Sequence, residues 1–299
     1  MSKLILIDGD ILVYSIGFSV EKSVYVYRGV MYKRKKGIAE ELCRQIGEDP
    51  AIAIVKRKTV LPFQQAVMNL TTKMNRIFDD LQTKNYRMFL TVTEVEKNYR
   101  DEIATHQRYK GNRAGFEKPV YYKKIRDHLI NYYKAEIISG QEADDAIGIE
   151  QYKIAKERGD FEGTIIASID KDLRGLEGHH YHMNLGEQDY VDTDKALKYF
   201  YCQLMTGDST DNIPGIYKLL VLSGRDEEAK QLKGSRYLKK YNTFALDHSP
   251  RECYNYVVDM YTSYGYGSTI INEIGDLLWI RREPDQIWSR DICPTINSL

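Results

Sequence analysis

The sequence predicts an α/β fold built on a parallel sheet covered by helices on both faces. Two apolar runs, residues 3–8 (KLILID) and 164–169 (TIIASI), are closed by acids, as expected of buried central strands. They alternate with helical-period segments, clearest at 64–84 through Ala66, Leu70, Met74, Ile77, Phe78 and Leu81. Between the first strand and that helix, residues 23–36 read as a hairpin turning near Arg28-Gly29. A strand is expected at 86–93. The polar, basic stretch 96–118 follows, too long for an ordinary connection and so expected to be a functional loop or arch. Then come a helix over 120–134, a strand at 135–138, a helix opening near Gln141, strands at 164–169 and 180–184, and a helix at 194–206. The expected division is a core over 1–206, with the arch at about 96–134, and a mainly helical region over 207–299.

Composition narrows the function. No window is apolar enough to span a bilayer, the N-terminus carries no signal-peptide pattern, and a cytoplasmic protein is expected (in a host cell if phage-encoded). Cys43, Cys202, Cys253 and Cys293 are scattered, which argues against a disulfide framework or a thiolate metal site. Of His179, His180 and His182 only His180 and His182 share a strand face and no cysteine is nearby, short of the three protein ligands that a catalytic zinc site usually needs. Trp279 and Trp288 are expected in packing. Net charge is zero, yet cations gather at Lys33-Arg34-Lys35-Lys36, at Lys56-Arg57-Lys58 and at Arg108, Lys110 and Arg113. A protein that grips phosphates and also holds metal ions needs both kinds of patch.

The acids recur in four short segments. These are Asp8-Gly9-Asp10 at a strand end, Glu142-Ala143-Asp144-Asp145 at a helix start, Asp170-Lys171-Asp172 at a second strand end, and Gly207-Asp208-Ser209-Thr210-Asp211-Asn212 at a turn. In an open α/β sheet, ligands bind outside the carboxyl ends of the strands, where Asp8 and Asp170 stand. Residues two apart on an extended chain point to one side, as do residues three apart on a helix. One such segment alone is an ordinary cap or turn. Four at one edge would repel unless cations compensate, and Mg²⁺ or Mn²⁺ takes oxygen ligands.

The order IDGD, YKGNR, GQEADDAIG, SIDKDL and TGDSTDNIPGI resembles the flap endonuclease and 5′–3′ exonuclease superfamily, most of all the short phage 5′–3′ exonucleases, over most of residues 3–216. The resemblance implies a PIN-like core, a helical arch carrying YKGNR, and two divalent ions. Asp8, Glu142, Asp144 and Asp145 would serve one ion, and Asp170, Asp172, Asp208 and Asp211 the other. Lys110 and Arg113 would hold the scissile phosphate of a DNA nick, gap, flap or RNA–DNA hybrid, and Tyr109 would stack on a base beside Arg108.

Glu94 and Asp10 are further acids whose part in metal binding the pattern leaves open. After NIPG the family's glycine-rich duplex-binding hairpin is missing. Lys218 and Arg225 are the nearest cations to replace it, followed by Lys230, Lys233, Arg236, Lys239 and Lys240. Two rival functions fit part of this pattern: a PIN-type ribonuclease, and a catalytically silent, structure-specific DNA-binding protein of replication.

Overall fold

The computed structural model describes residues 3–33, 36–92, 98–113, 115–232 and 236–294. Arg34, Lys35, Glu94 and Lys233 lie outside that set, as do the side chains of Lys36 and Arg236.

In chain order, β1 (Leu4–Asp8) runs into α1 (Gly9–Ser19), then β2 (Glu21–Tyr27), β3 (Val30–Tyr32), α2 (Lys36–Gln45), α3 (Pro50–Ala53) and β4 (Val55–Val60). Next are α4 (Phe63–Leu81), β5 (Tyr86–Thr91), α5 (Tyr99–Ile103), α6 (Tyr122–Asn131), β6 (Glu136–Ile138) and α7 (Ala143–Arg158). They are followed by β7 (Thr164–Ser168), β8 (Gly178–His182), β9 (Glu187–Val191) and α8 (Thr193–Thr206). The remainder is β10 (Gly207–Asp208), β11 (Ile213–Pro214), α9 (Ile216–Leu222), α10 (Asp226–Leu232), α11 (Arg236–Asp247), α12 (Pro250–Ser263), α13 (Ser268–Leu278) and α14 (Trp288–Asp291).

The chain divides into two compact units. One comprises residues 1–10, 80–116 and 135–299, the other 11–79 and 117–134.

The first unit holds a six-stranded sheet in the order β6-β5-β1-β7-β8-β9. Its pairings are parallel except β8 with β9, so the expected parallel sheet stands, with one antiparallel strand added at an edge. Residues 187–191 were not foreseen as a strand because four of the five are exposed, and no apolar run marks them. Leu6, Phe89 and Ile166 from three adjacent strands pack against Ala143 and Ile147 of α7, together with Leu173, Leu176 and Ile280. A second core joins α8 to the helices after it through Phe200, Tyr201, Leu204, Tyr241, Tyr254, Tyr261, Trp279 and Trp288. Both tryptophans and much of the tyrosine are thus packing, as expected.

In the second unit, β2 pairs with β3 and β4 in an antiparallel sheet. The β2–β3 turn falls at Arg28 and Gly29, with φ of 47° and 79°, the left-handed pair that a two-residue hairpin favours. Residues 56–58, read above only as a basic run, lie in strand β4. Ala66, Leu70, Met74 and Ile77 form the buried stripe of α4. All four cysteines are free thiols. Among the described residues no helix is long and apolar enough to cross a membrane.

Candidate active site

Parallel pairing brings the carboxyl ends of β1, β5 and β7 to one edge of the sheet. Asp8 ends β1 and is 2% exposed. Its carboxylate accepts a hydrogen bond from Ser168 Oγ (2.8 Å) at the end of β7. The same hydroxyl accepts from Asp170 N (2.9 Å), and Asp170 Oδ1 accepts from Asp172 N (2.9 Å). One serine therefore ties together two strand ends and their acids. Gly9 permits this crowding, since a Cβ there would lie 2.6 Å from the Phe89 carbonyl oxygen. Asp10 accepts from Thr91 N (3.0 Å), and Thr91 Oγ1 accepts from Ala143 N (3.0 Å). Asp10 thus fastens the end of β5, which in turn seats the start of α7.

Glu142 is the N-cap residue of α7, and Asp144 lies in its first turn. Asp145 has a different surrounding from the one expected of a ligand. It is fully buried, and Arg100 grips both its oxygens, Nη1 at 2.7 Å and Nη2 at 2.9 Å. It also accepts from Glu142 N and Arg281 N, each at 3.1 Å. Four donors occupy this carboxylate, which makes Asp145 a structural counter-ion and corrects its assignment to the ligand set.

The YKGNR segment docks on the GDSTDN turn. Lys110 N donates to Asp211 O (2.8 Å), Asn212 Nδ2 to Arg108 O (2.9 Å) and Asn112 Nδ2 to Ser209 O (2.6 Å). Gly207 holds the base of the turn with φ of 69°, and a Cβ there would meet Gly215 N at 2.2 Å. The docking turns the segment's functional groups inward. Tyr109 is 5% exposed and its hydroxyl bridges Glu142 Oε2 (2.9 Å) and Asp211 Oδ2 (2.8 Å). The expectation that Tyr109 stacks on a base is therefore corrected: its ring belongs to the core formed with α8. Lys110 Nζ pairs with Glu142 and lies 3.6 Å from Asp211, which Arg113 also engages. Asp211 thus sits with Glu142 rather than with Asp172.

The charges fall into two groups. Burial, then the nearby charges of Asp8, Asp170 and Glu142, pushes Asp144 well above the usual carboxylate range. Burial and the charges of Asp170 and Asp208 push Asp172 up to about 7, with Lys171 opposing. Two members are held low instead. Burial would raise Glu142, but the Lys110 and Arg100 cations outweigh it and bring it down to about 2. For Asp208 the opposing donors are the Lys171 ammonium (2.7 Å) and Thr210 N (2.6 Å). Lys171 also reaches Asp172 at 2.8 Å.

Among the described residues, no three acidic, imidazole or thiolate side chains already stand at a metal's ligand spacing. Ammonium groups lie between the acids instead. The donor set nevertheless fits a hard divalent ion. It is all carboxylate oxygen, and the raised Asp144 and Asp172 mark negative charge that the local lysines do not offset.

Sequence reading missed Arg100, Ser168 and Gln203, and gave Lys171 no role. Gln203, buried on α8, donates to Asp172 Oδ1 at 2.6 Å. None of the four partnerships involving these residues is announced by a local pattern, though Lys171 does stand between two predicted ligands. Arg108 and Lys218 are exposed. Arg225 is half-buried; it pairs with Glu228 and donates to Tyr264 O (2.6 Å), bracing α10 against the turn after α12.

No family model matches the chain. A 5′-3′ exonuclease of Buchnera aphidicola subsp. Schizaphis graminum is 28% identical over 163 residues, 49% of this chain and 54% of the relative. The chain thus spans about half the length of the curated relative it matches. That match agrees with the resemblance carried by the motifs. Among solved structures, the T5 D15 protein co-crystallized with metal ions aligns over 92% of this chain and 98% of its own, at 15% identity and a TM-score of 0.43. T5 5′-exonuclease with bound divalent zinc ions aligns over 93% and 99%, at 16% identity and 0.44. A pseudo-enzyme-product complex of the bacteriophage T5 flap endonuclease with DNA and metal ions aligns over 92% and 97%, at 14% identity and 0.43.

Proposed function

We propose that this chain is a metal-dependent 5′–3′ exonuclease and flap endonuclease that hydrolyses DNA phosphodiesters near 5′ ends, including nicks, gaps and flaps. RNA in an RNA–DNA hybrid falls within the same reading. The observation that carries it is the meeting of Asp8, Glu142, Asp144 and Asp170 at one sheet edge, with Asp172 and Asp208 beside them and two lysines between. Asp211 joins the set through Glu142. On this reading, residues 1–206 carry the core and 207–299 the duplex-binding part.

Two divalent ions, Mg²⁺ or Mn²⁺, suit the two carboxylate groups. When bound they supply an activated water and neutralise charge on the phosphate. The protein's own part is positioning. Ser168 fixes Asp8 and Asp170, Gln203 fixes Asp172, and the Arg100–Asp145 pair holds the start of α7 in place. Lys110 and Arg113 pair with Glu142 and Asp211 and would hold a phosphate's oxygens beside those carboxylates.

The test is a substrate panel with Mg²⁺: 5′-labelled flap, gapped and blunt duplex DNA, an RNA–DNA hybrid, and single-stranded RNA. The nuclease reading expects cutting near the 5′ end of the DNA substrates. Cutting of single-stranded RNA alone would make the chain a ribonuclease. Tight binding of flap DNA with no cleavage in Mg²⁺ or Mn²⁺ would make it an accessory protein.

A further inference from the structure

The three-stranded sheet of the second unit has two unlike faces, separated by the alternation of side chains along each strand. On one face, Tyr27 packs with Ala39 and Cys43 of α2, and Lys58 and Lys56 are neutralised. Lys58 pairs with Glu21 (2.6 Å) and Glu117 (3.2 Å), and Lys56 with Glu117 (2.9 Å). The other face is set by the register Lys22↔Thr59, Val24↔Arg57, Val26↔Val55 and Val26↔Met31. It contains no acid. Lys22 and Arg57 are exposed and have no acidic partner among the described residues, and exposed Lys33 follows β3 directly. Beside these cations lies an apolar strip in which Met31 is 65% and Val55 54% exposed.

The imbalance extends through the surrounding sequence. Residues 20–60 contain ten Lys and Arg against five Asp and Glu, in a chain whose net charge is zero. On the sheet itself Lys56 and Lys58 meet acids, whereas Lys22 and Arg57 share the other face with exposed Val55 and Met31.

We propose that this open face binds an unpaired stretch of nucleic acid strand, with phosphates on Lys22, Arg57 and Lys33 and base faces over Val24, Val26, Val55 and Met31. Charge selects the phosphates, and the apolar strip selects the unpaired state. A duplex meets a protein surface mainly through its backbone and would leave the valines wet, whereas unpaired bases present flat apolar faces that cover them. From Lys22 to Val26 the strand extends roughly 13 Å, and the outer strands stand roughly 10 Å apart, enough for a short run of nucleotides. The inference depends on the nuclease reading only for the nature of the ligand.

The experiment measures binding of the full chain to a fluorescent oligothymidylate by anisotropy in EDTA, where no cleavage occurs, across a salt series. Wild type is compared with Lys22→Ala/Arg57→Ala, with Lys56→Ala on the opposite face, and with Met31→Ser/Val55→Ser. Each phosphate contact on a single strand contributes about 0.7 to the slope of log affinity against log salt. The double charge variant should therefore lose about 1.4 of slope, so that wild type weakens about sevenfold more than it between 50 and 200 mM salt. Lys56→Ala should bind as wild type. Met31→Ser/Val55→Ser should bind more weakly with unchanged slope.

An unchanged slope in the double charge variant overturns the proposal. So does equal, Lys22- and Arg57-dependent binding of a duplex of the same length. Lys22- and Arg57-dependent retention on vesicles containing anionic lipid, with oligonucleotide binding unaffected, overturns it in favour of a membrane. A parallel Mg²⁺ cleavage assay separates the two readings. A chain that binds through this face but cuts nothing sinks the nuclease reading alone, and one that cuts DNA without the slope change sinks this inference alone.

Discussion

Removing Arg100 should destabilise the first unit by about 4 kcal/mol, because it breaks a buried ion pair from one side only. Arg100 is 3% exposed and places four hydrogen bonds: two to Asp145, one to Leu277 O (2.9 Å) and one to Trp279 O (2.7 Å). Arg100→Met keeps most of the volume and deletes all four. The cost of stranding a buried charge is about 3–5 kcal/mol. Asp145 keeps two backbone donors, which moderates it, while two carbonyls lose partners, which adds to it. With a urea dependence near 3 kcal/mol per M, the midpoint of unfolding should fall by about 1.3 M. The double variant Arg100→Met/Asp145→Leu strands neither half of that pair and should recover part of the loss, the remainder reflecting Glu142's lost cation and the two backbone donors freed from Asp145. Equilibrium urea unfolding followed by far-UV circular dichroism reads all three proteins. A midpoint for Arg100→Met within 0.3 M of wild type (about 1 kcal/mol) would refute the reasoning, as would a double variant no better than the single one.

Other consequences can be checked separately. Lys110→Ala should lower kcat on flap DNA about 10²–10³-fold, the scale for losing one preorganised charge at a reacting phosphate, with substrate binding in EDTA changed far less. A fall in affinity of the same size as the fall in kcat would reassign Lys110 to plain binding. Gln203→Leu should weaken Mn²⁺ binding, followed by calorimetry, about 10–100-fold by freeing Asp172, and unchanged binding would remove Gln203 from the account. His180 is 8% exposed, donates from Nε2 to Leu176 O (2.9 Å), and is held down to about 4 by burial. Its folded value lies below the unfolded 6.5, so the unfolded chain takes up the proton first as pH falls. Its contribution to stability is therefore whole above about pH 6.5 and is lost progressively down to about pH 4, by about 3 kcal/mol in all. Wild type should lose about 2 kcal/mol more than His180→Gln between pH 6.5 and 5 in urea unfolding, and parallel pH profiles would contradict this.

What the sequence made legible follows from where each signal resides. Strands β1 and β7 are apolar runs ended by acids, so fold and candidate ligands were readable together. The Arg28-Gly29 turn was readable because its chemistry is local. Strands β4 and β9 were not, since exposed charged residues on an edge strand look like a loop until a partner strand is known. Tyr109 and Asp145 were misassigned for a related reason. A tyrosine in a polar loop and an acid in an EADD cluster both look functional, and only distant neighbours fix them otherwise. The ring of Tyr109 is claimed by the helical core, and the charge of Asp145 by an arginine 45 residues away.

Asp170 is the residue on which the account most depends, because its charge bears on both Asp144 and Asp172. Single-turnover cleavage of a 5′-labelled flap with Mg²⁺, comparing wild type, Asp170→Asn and wild type in EDTA, is the most direct test. Wild type should release short 5′ products, EDTA should abolish them, and Asp170→Asn should be slower by about 10³-fold or more, the rate equivalent of about 4 kcal/mol of charge stabilisation. Equal cleavage by wild type and Asp170→Asn, or cleavage that survives EDTA, would contradict it.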